Sequence, residues 1–257
     1  MKEQEQAYQS TQPTPQDVVM DIRDLHIAFG SNVVLDGFEL QLHKGECKVV
    51  LGRSGSGKSV LIKCIIGLLK PDSGSITVMG KDILNMDHEE LDKMRMRIGF
   101  LFQSNALYDS MTVRENLEFP MRRHHIDLAD QTAEQRILEA LENVGLEHTI
   151  DMMPVELSGG MKKRIALART LILKPDIILY DEPTSGLDPV TSREIAHLIT
   201  EVQKKYKTSS IVISHDMSCV HTVADKIAVL LDGKKRAEGT YSELAKSDIK
   251  EVKEFFE

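Results

Sequence analysis

The run Cys47–Leu51 enters a loop of Gly52, Arg53, Ser54, Gly55, Ser56, Gly57, Lys58 and Ser59, and leaves it through the apolar stretch Val60–Leu69. No other feature limits the fold as much. Cys47–Leu51 reads as a strand buried on both faces. The density and length of the following run suit a buried helix that stops before Lys70-Pro71. Glycines between a strand and a helix let successive backbone N–H groups converge at the helix N-terminus, where the helix dipole favours an anion. The loop also matches GxxxxGK[ST]. In that pattern Lys58 neutralises the β- and γ-phosphates of a nucleotide and the Ser59 hydroxyl ligates Mg2+. A Gly/Ser turn with an incidental lysine would account for the letters but not for the strand and helix that flank them.

The rest of the chain alternates in the same manner. From Val18 to Leu51 the patterns are short and β-like. SITVMG and RIGFLF read as further strands, the second ending near Gln103. Between Thr112 and Leu173 the period changes to three and four residues in VRENLEFPMRR, AEQRILEALENVG and SGGMKKRIALARTLIL, which predicts a helical lobe. DIILYD, SSIVIS and KIAVLLDG then return as strands separated by helical stretches. Strands alternating with helices predict an α/β fold with a mostly parallel sheet covered on its faces.

Two further motifs carry chemistry. Ile177–Tyr180 is apolar and is followed by Asp181 and Glu182, so two carboxylates sit at the end of a buried strand, where ligands collect in an open α/β sheet. Asp181 is placed to hold Mg2+ through its water shell and Glu182 to polarise an attacking water. Leu157-Ser-Gly-Gly-Met161 precedes a helix, with Ser158 as its expected N-cap. Its glycines leave that helix N-terminus open to an anion, a phosphate cradle without a lysine. One nucleotide does not need two such cradles from one lobe, so a second chain is expected to supply the second, with ATP between two subunits.

With these motifs in this order, the chain resembles the ATP-binding subunit of ABC transporters from Val18 to about Ser247. The resemblance implies a P-loop NTPase fold with a mostly parallel core sheet, an antiparallel β subdomain and a helical subdomain at about 104–173. Residues 1–17 would form a disordered tail and 248–257 a short C-terminal helix. It implies ATP and Mg2+ as ligands. Glu182 becomes the general base, His215 the switch histidine near the γ-phosphate, and Gln103 a contact to Mg2+ or the attacking water. Ser158, Gly159 and Gly160 serve the partner's nucleotide, Asp188 ends the loop from Ser185 that crosses to the other subunit, and Phe29 stacks on adenine. The implied partners are a second copy of the chain and transmembrane permease subunits, the permease meeting the segment Ser104–His125. LSGGM together with FQSNALYDSMTVRENLEFPM is similar to the ATPases of Mla/Mce-type phospholipid transporters. That similarity implies an Mce-domain protein as a further partner and a place on the cytoplasmic face of a bacterial inner membrane. Another importer or a lipoprotein exporter would share every catalytic residue. Some relatives carry a longer C-terminal tail that reaches the partner subunit, so a tail-mediated contact is not expected from DIKEVKEFFE.

The bulk properties narrow the remaining possibilities. A net charge of −8 disfavours nucleic acid as a partner, because that affinity comes chiefly from Lys and Arg. A soluble ABC ATPase of DNA repair or translation would typically carry two ATPase units or a long coiled-coil insertion, and neither is visible. Cys47, Cys64 and Cys219 form no CxxC pair and read as packing residues. The histidines show no HxxxH or HExxH spacing for a metal. No apolar run is long enough for a bilayer span, and the polar start lacks the core of a signal peptide.

Overall fold

The computed structural model describes residues 18–126 and 132–257. The expected N-terminal tail, 1–17, lies outside them. The described strands form two sheets. In the first, β1 (Val18–Phe29) pairs antiparallel with β2 (Asn32–His43) and with β4 (Ser73–Val78), and β4 pairs with the two-residue β5 (Lys81–Asp82). The second sheet contains β3 (Cys47–Leu51), β6 (Ile98–Leu101), β7 (Ile177–Asp181), β8 (Ser209–Ser214), β9 (Lys226–Leu231) and β10 (Lys234–Gly239). Its order is β10-β9-β3-β8-β7-β6. All neighbours in it run parallel except the edge hairpin of β9 and β10. The expectation of a mostly parallel core sheet is met.

Side chains along the parallel strands alternate between two apolar clusters, the period-2 consequence of the pleat. On one face Val49, Ile178, Tyr180, Val212 and Val229 pack with the helices. These are α3 (Val113–Arg123), α4 (Ala133–Glu142), α5 (Gly159–Leu171), α6 (Pro189–Tyr206) and α7 (Met217–Val223). On the other face Val50, Leu179, Ile211, Ile213 and Leu230 meet the antiparallel sheet and α1 (Lys58–Ile65). A strand covered on both sides has no polar face to show, and this is why Ile177–Tyr180 of β7 and Ile227–Leu231 of β9 are uniformly apolar, while β8 carries only small buried serines beside Ile211–Ile213. Lys48, within β3, is 1% exposed. It tolerates that place because Nζ donates to Glu238 at 2.6 Å and to the Gln41 carbonyl.

Three elements differ from the sequence expectation. Helix α1 ends at Ile65, well before Lys70, because Gly67 adopts φ +66° and the N–H groups of Leu68 and Leu69 both turn back to the Lys63 carbonyl. A Cβ on Gly67 would come within 2.9 Å of the Leu91 side chain, so this glycine also permits α2 (His88–Arg97) to approach. That helix was not anticipated. It buries only Met94, and its legible mark is the capping box of Asp87 and Glu90. The C-terminal stretch expected as a helix contributes a four-residue turn of helix, α9 (Lys250–Lys253), after the equally short α8 (Tyr241–Leu244). All three cysteines are free and buried.

Candidate active site

The carboxyl ends of β3, β6, β7 and β8 lie side by side in the parallel sheet, and each is followed within two residues by one singled out from sequence. A cleft of about 410 Å³ opens there, lined by Phe29, Ser54, Gly55, Gly57, Lys58, Ser59, Gln103, Glu182 and His215, with Val34 and Val60. Nine of these eleven are sequence candidates. Their convergence follows from topology, since parallel strands all end at one edge.

The glycine loop is shaped by its backbone. Gly55 and Gly57 have φ of +79° and +100°, values that L side chains rarely adopt. At Gly57 an added Cβ would also lie 2.8 Å from Val34 Cγ1, so β2 closes directly over the loop. Lys58 Nζ donates to the Gly52 and Arg53 carbonyls at 2.8 and 2.9 Å. Burial holds its ammonium pKa below the usual lysine value, and the negative charge of Glu182 and Asp181 opposes that shift. A buried cation bonded only to carbonyls in this way is poised for an anion.

Ser59 Oγ donates to Asp181 Oδ1 at 3.3 Å. Burial raises the Asp181 pKa, against the Ser59 hydrogen bond, and the Glu182 charge adds to the rise. Glu182 is 8% exposed and sits at φ +49°, immediately before Pro183. Its N–H is held by the Ile213 carbonyl at 2.9 Å, and its Oε2 lies 2.9 Å from His215 Nδ1. A glutamate in the left-handed region costs on the order of 1 kcal/mol or more, and such strain clusters where a side chain must be aimed. Gln103 reaches across to Ser185, its Nε2 donating to Oγ at 3.3 Å. Phe29 stands 49% exposed at the mouth of the cleft, not in the core as a strand-end Phe commonly does.

The remaining candidates do not line that cleft. Arg53 and Ser56 border an adjoining depression, and the Arg53 guanidinium pairs with Glu254 at 2.8 Å. The Ser56 hydroxyl is buried without a partner. Gly52 packs so closely that a Cβ would meet the Leu230 carbonyl at 2.7 Å. Ser158 caps α5 as expected, accepting from the Met161 N–H at 3.2 Å. Met161 turns its side chain into the helical apolar cluster, a packing role no amide would fill as well. Gly160 lies against the first turn of α6, where a Cβ would approach Thr191 Cγ2 to 2.5 Å. Asp188 is spent as the cap of α6, accepting from the N–H groups of Val190 and Thr191. The Thr191 hydroxyl hydrogen bond holds its pKa below the ordinary carboxylate value.

One buried group went unnoticed in the sequence. Lys163, on α5, is 2% exposed and donates to the Gln103 carbonyl at 2.8 Å. Burial pushes its pKa down to about 8, while Asp181 and Glu182 pull it upward. The signal was available: Ala166, Leu167 and Thr170 follow at helical spacings of three, four and seven, placing Lys163 on the inward stripe.

The glycine loop and the two carboxylates fall within the match to a known family. The ABC transporter family profile covers residues 35–185. The chain belongs to the ABC transporter family. It is an ATPase of that family. It is 39% identical to the intermembrane phospholipid transport system ATP-binding protein of Haemophilus influenzae, over 92% of this chain and 89% of that protein. It is likewise 39% identical to the methionine import ATP-binding protein of Rhizobium etli, over 89% of this chain but only 63% of that protein's length. Among solved structures it resembles the dimeric, post-hydrolysis state of the ATP-binding cassette MJ0796 bound to ADP and Pi. The TM-score is 0.76 at 31% identity, covering 86% of this chain and 98% of that one. No helix among the described residues is long and apolar enough to cross a membrane.

Proposed function

We propose that two copies of this chain, attached to permease subunits at the cytoplasmic face of a bacterial inner membrane, hydrolyse ATP to drive phospholipid between envelope membranes. The observation that carries the catalytic part is the Glu182–His215 contact facing Lys58 across one cleft. Phe29 stacks on the adenine at the mouth. The Lys58 ammonium exchanges its loop carbonyls for phosphate oxygens, and the loop N–H groups of Gly52–Ser59 surround the same phosphates. Glu182 accepts the proton of the attacking water while His215 keeps its carboxylate aimed. Ser158, with the N–H groups of Gly159 and Gly160, meets the γ-phosphate bound by the other copy, and Asp188 stabilises the loop that crosses between them.

The donor set also fits Mg2+. Two hard oxygens, Ser59 Oγ and Asp181 Oδ1, lie 3.3 Å apart at the end of the loop, and Mg2+ prefers a few such donors together with water and phosphate. Ser59, Asp181 and Gln103 would hold it. When bound, it neutralises charge on the transferring phosphoryl group.

The phospholipid cargo is supported by the relative from Haemophilus influenzae, matched over nearly the full length of both chains. The methionine importer's equal identity favours a second reading, a small-molecule importer. Purification of the intact complex from its native membrane tests both. An Mce-domain protein and bound phospholipid support the proposal, whereas a periplasmic solute-binding protein would replace it with the second reading.

A further inference from the structure

Helix α5 does more than present Ser158. Three backbone carbonyls along residues 103–106 accept hydrogen bonds from its side chains. Lys163 Nζ donates to Gln103 at 2.8 Å, and the Arg169 guanidinium to Asn105 at 3.1 Å and Ala106 at 2.7 Å. The loop so held is a strained one. Asn105 and Ala106 are consecutive non-glycine residues at φ +64° and +52°, a conformation that persists only where its surroundings impose it. The loop's own turn supplies one bond, from the Asn105 N–H to the Phe102 carbonyl at 3.1 Å.

We propose that Lys163 and Arg169 are positioning residues that clamp the Gln103 loop to α5, so that the glutamine at the cleft and the helix capped by Ser158 move as one body. The proposal rests on the catalytic reading given above. Burying an ammonium against a carbonyl is expensive compared with an apolar side chain of equal length, and an apolar side chain would pack the same space. What an apolar side chain cannot supply is the bond to the backbone of the residue that reaches into the site. Arg169 extends the grip three residues further, and its guanidinium also lies 5.9 Å from the centre of the Tyr108 ring. When the second copy's nucleotide meets the Ser158 cap, the displacement of α5 is thereby delivered to Gln103 without slack.

Lys163→Met keeps the length of the stem and removes the donor, and Lys163→Gln restores a neutral donor. Hydrogen exchange on the full nucleotide-free chain reads the clamp directly. The Met variant should exchange the amides of residues 102–106 about tenfold faster without a lower melting temperature. Its kcat for ATP should fall about tenfold with KM within about threefold, since geometry and not ground-state binding is lost. The Gln variant should recover most of both. Native exchange or native kcat in the Met variant would overturn the proposal, as would a Gln variant no better than Met. Arg169→Gln, at a less buried position, should loosen residues 105 and 106 in the same way, so a folding defect at Lys163 does not block the test. Should the native chain show no ATP turnover, the catalytic reading falls, while the exchange measurement still decides the clamp.

Discussion

Replacing Glu182 by Gln is the sharpest test of the site, because the two side chains have the same shape and differ in whether they can take a proton. The local backbone does not depend on the charge. The φ of +49° and the bond from the Glu182 N–H to the Ile213 carbonyl are main-chain features. What changes is the contact of Oε2 with His215 Nδ1 at 2.9 Å. The His215 side chain is 66% exposed, so solvent screens the pair and it contributes at most about 1 kcal/mol to stability. For a chain of this size that is a melting shift of no more than about 4 °C.

The kinetic effect is far larger. A positioned general base is worth about 10²- to 10⁴-fold, or about 3–5 kcal/mol in the activation barrier. Glu182→Gln should therefore bind ATP with native affinity by nucleotide fluorescence, release phosphate at least about a hundredfold more slowly, and accumulate as a dimer on size-exclusion chromatography with ATP present. Phosphate release within about threefold of native, in protein that melts normally, would refute the role given to this carboxylate.

Other consequences are testable on the same preparation. Gly57→Ala must place a side chain at φ +100° and 2.8 Å from Val34. It should cost about 2 kcal/mol or more, seen as a lower melting temperature by circular dichroism, and should abolish ATP binding. Glu238 is partly buried, which alone would raise its pKa, yet hydrogen bonds from Lys235 and Lys48 outweigh burial and hold it below the ordinary value. A carboxylate lowered on folding contributes stability that is present above its unfolded pKa of about 4.3 and is lost as pH falls through the folded value. The melting difference between native protein and Glu238→Gln should therefore be largest near neutrality and vanish in acid; an equal difference at both would contradict it. Tyr108 is 44% exposed and packs on Phe119 with ring centres 5.0 Å apart, on the segment assigned to the permease. Tyr108→Glu should abolish capture by the permease and leave ATP binding to the free subunit unchanged, and loss of both together would count against that assignment.

How much of this was legible depended on how the information is stored. The buried strands announced themselves because both faces meet apolar layers, which keeps Ile177–Tyr180 of β7, Ile211–Ile213 of β8 and Ile227–Leu231 of β9 as unbroken apolar runs. The site residues at their ends could be read for the same reason: Asp181, Glu182 and His215 stand where apolar runs stop, and a parallel sheet brings all such stops to one edge. Helix α2 was illegible by periodicity because it buries a single residue, Met94, and so owes its existence to its cap and its ends. Strand β10 was hidden as an edge strand is: four of its six residues are charged, and only pairing with β9 reveals it. The early stop of α1 is a tertiary effect. Nothing in its sequence distinguishes Gly67 from a tolerated helix glycine until Leu91 is brought against it.

Lys163 illustrates a further limit. Its place on the inward stripe of α5 could be counted from the sequence, but a lysine there ordinarily means that the stripe has been misjudged or that the stem is reaching for water. Only the partner distinguishes these cases, and the partner is a backbone carbonyl some 60 residues away, which no side-chain pattern encodes. The same holds for the division of the site itself. Asp188 has its carboxylate engaged by the first turn of α6, and Ser158 has its hydroxyl engaged by the Met161 N–H. Neither lines the cleft that holds Lys58 and Glu182. Each is locked in place by its own helix. In the function proposed above, such groups serve catalysis by meeting the nucleotide held by another copy, and the capping geometry keeps them ready for it.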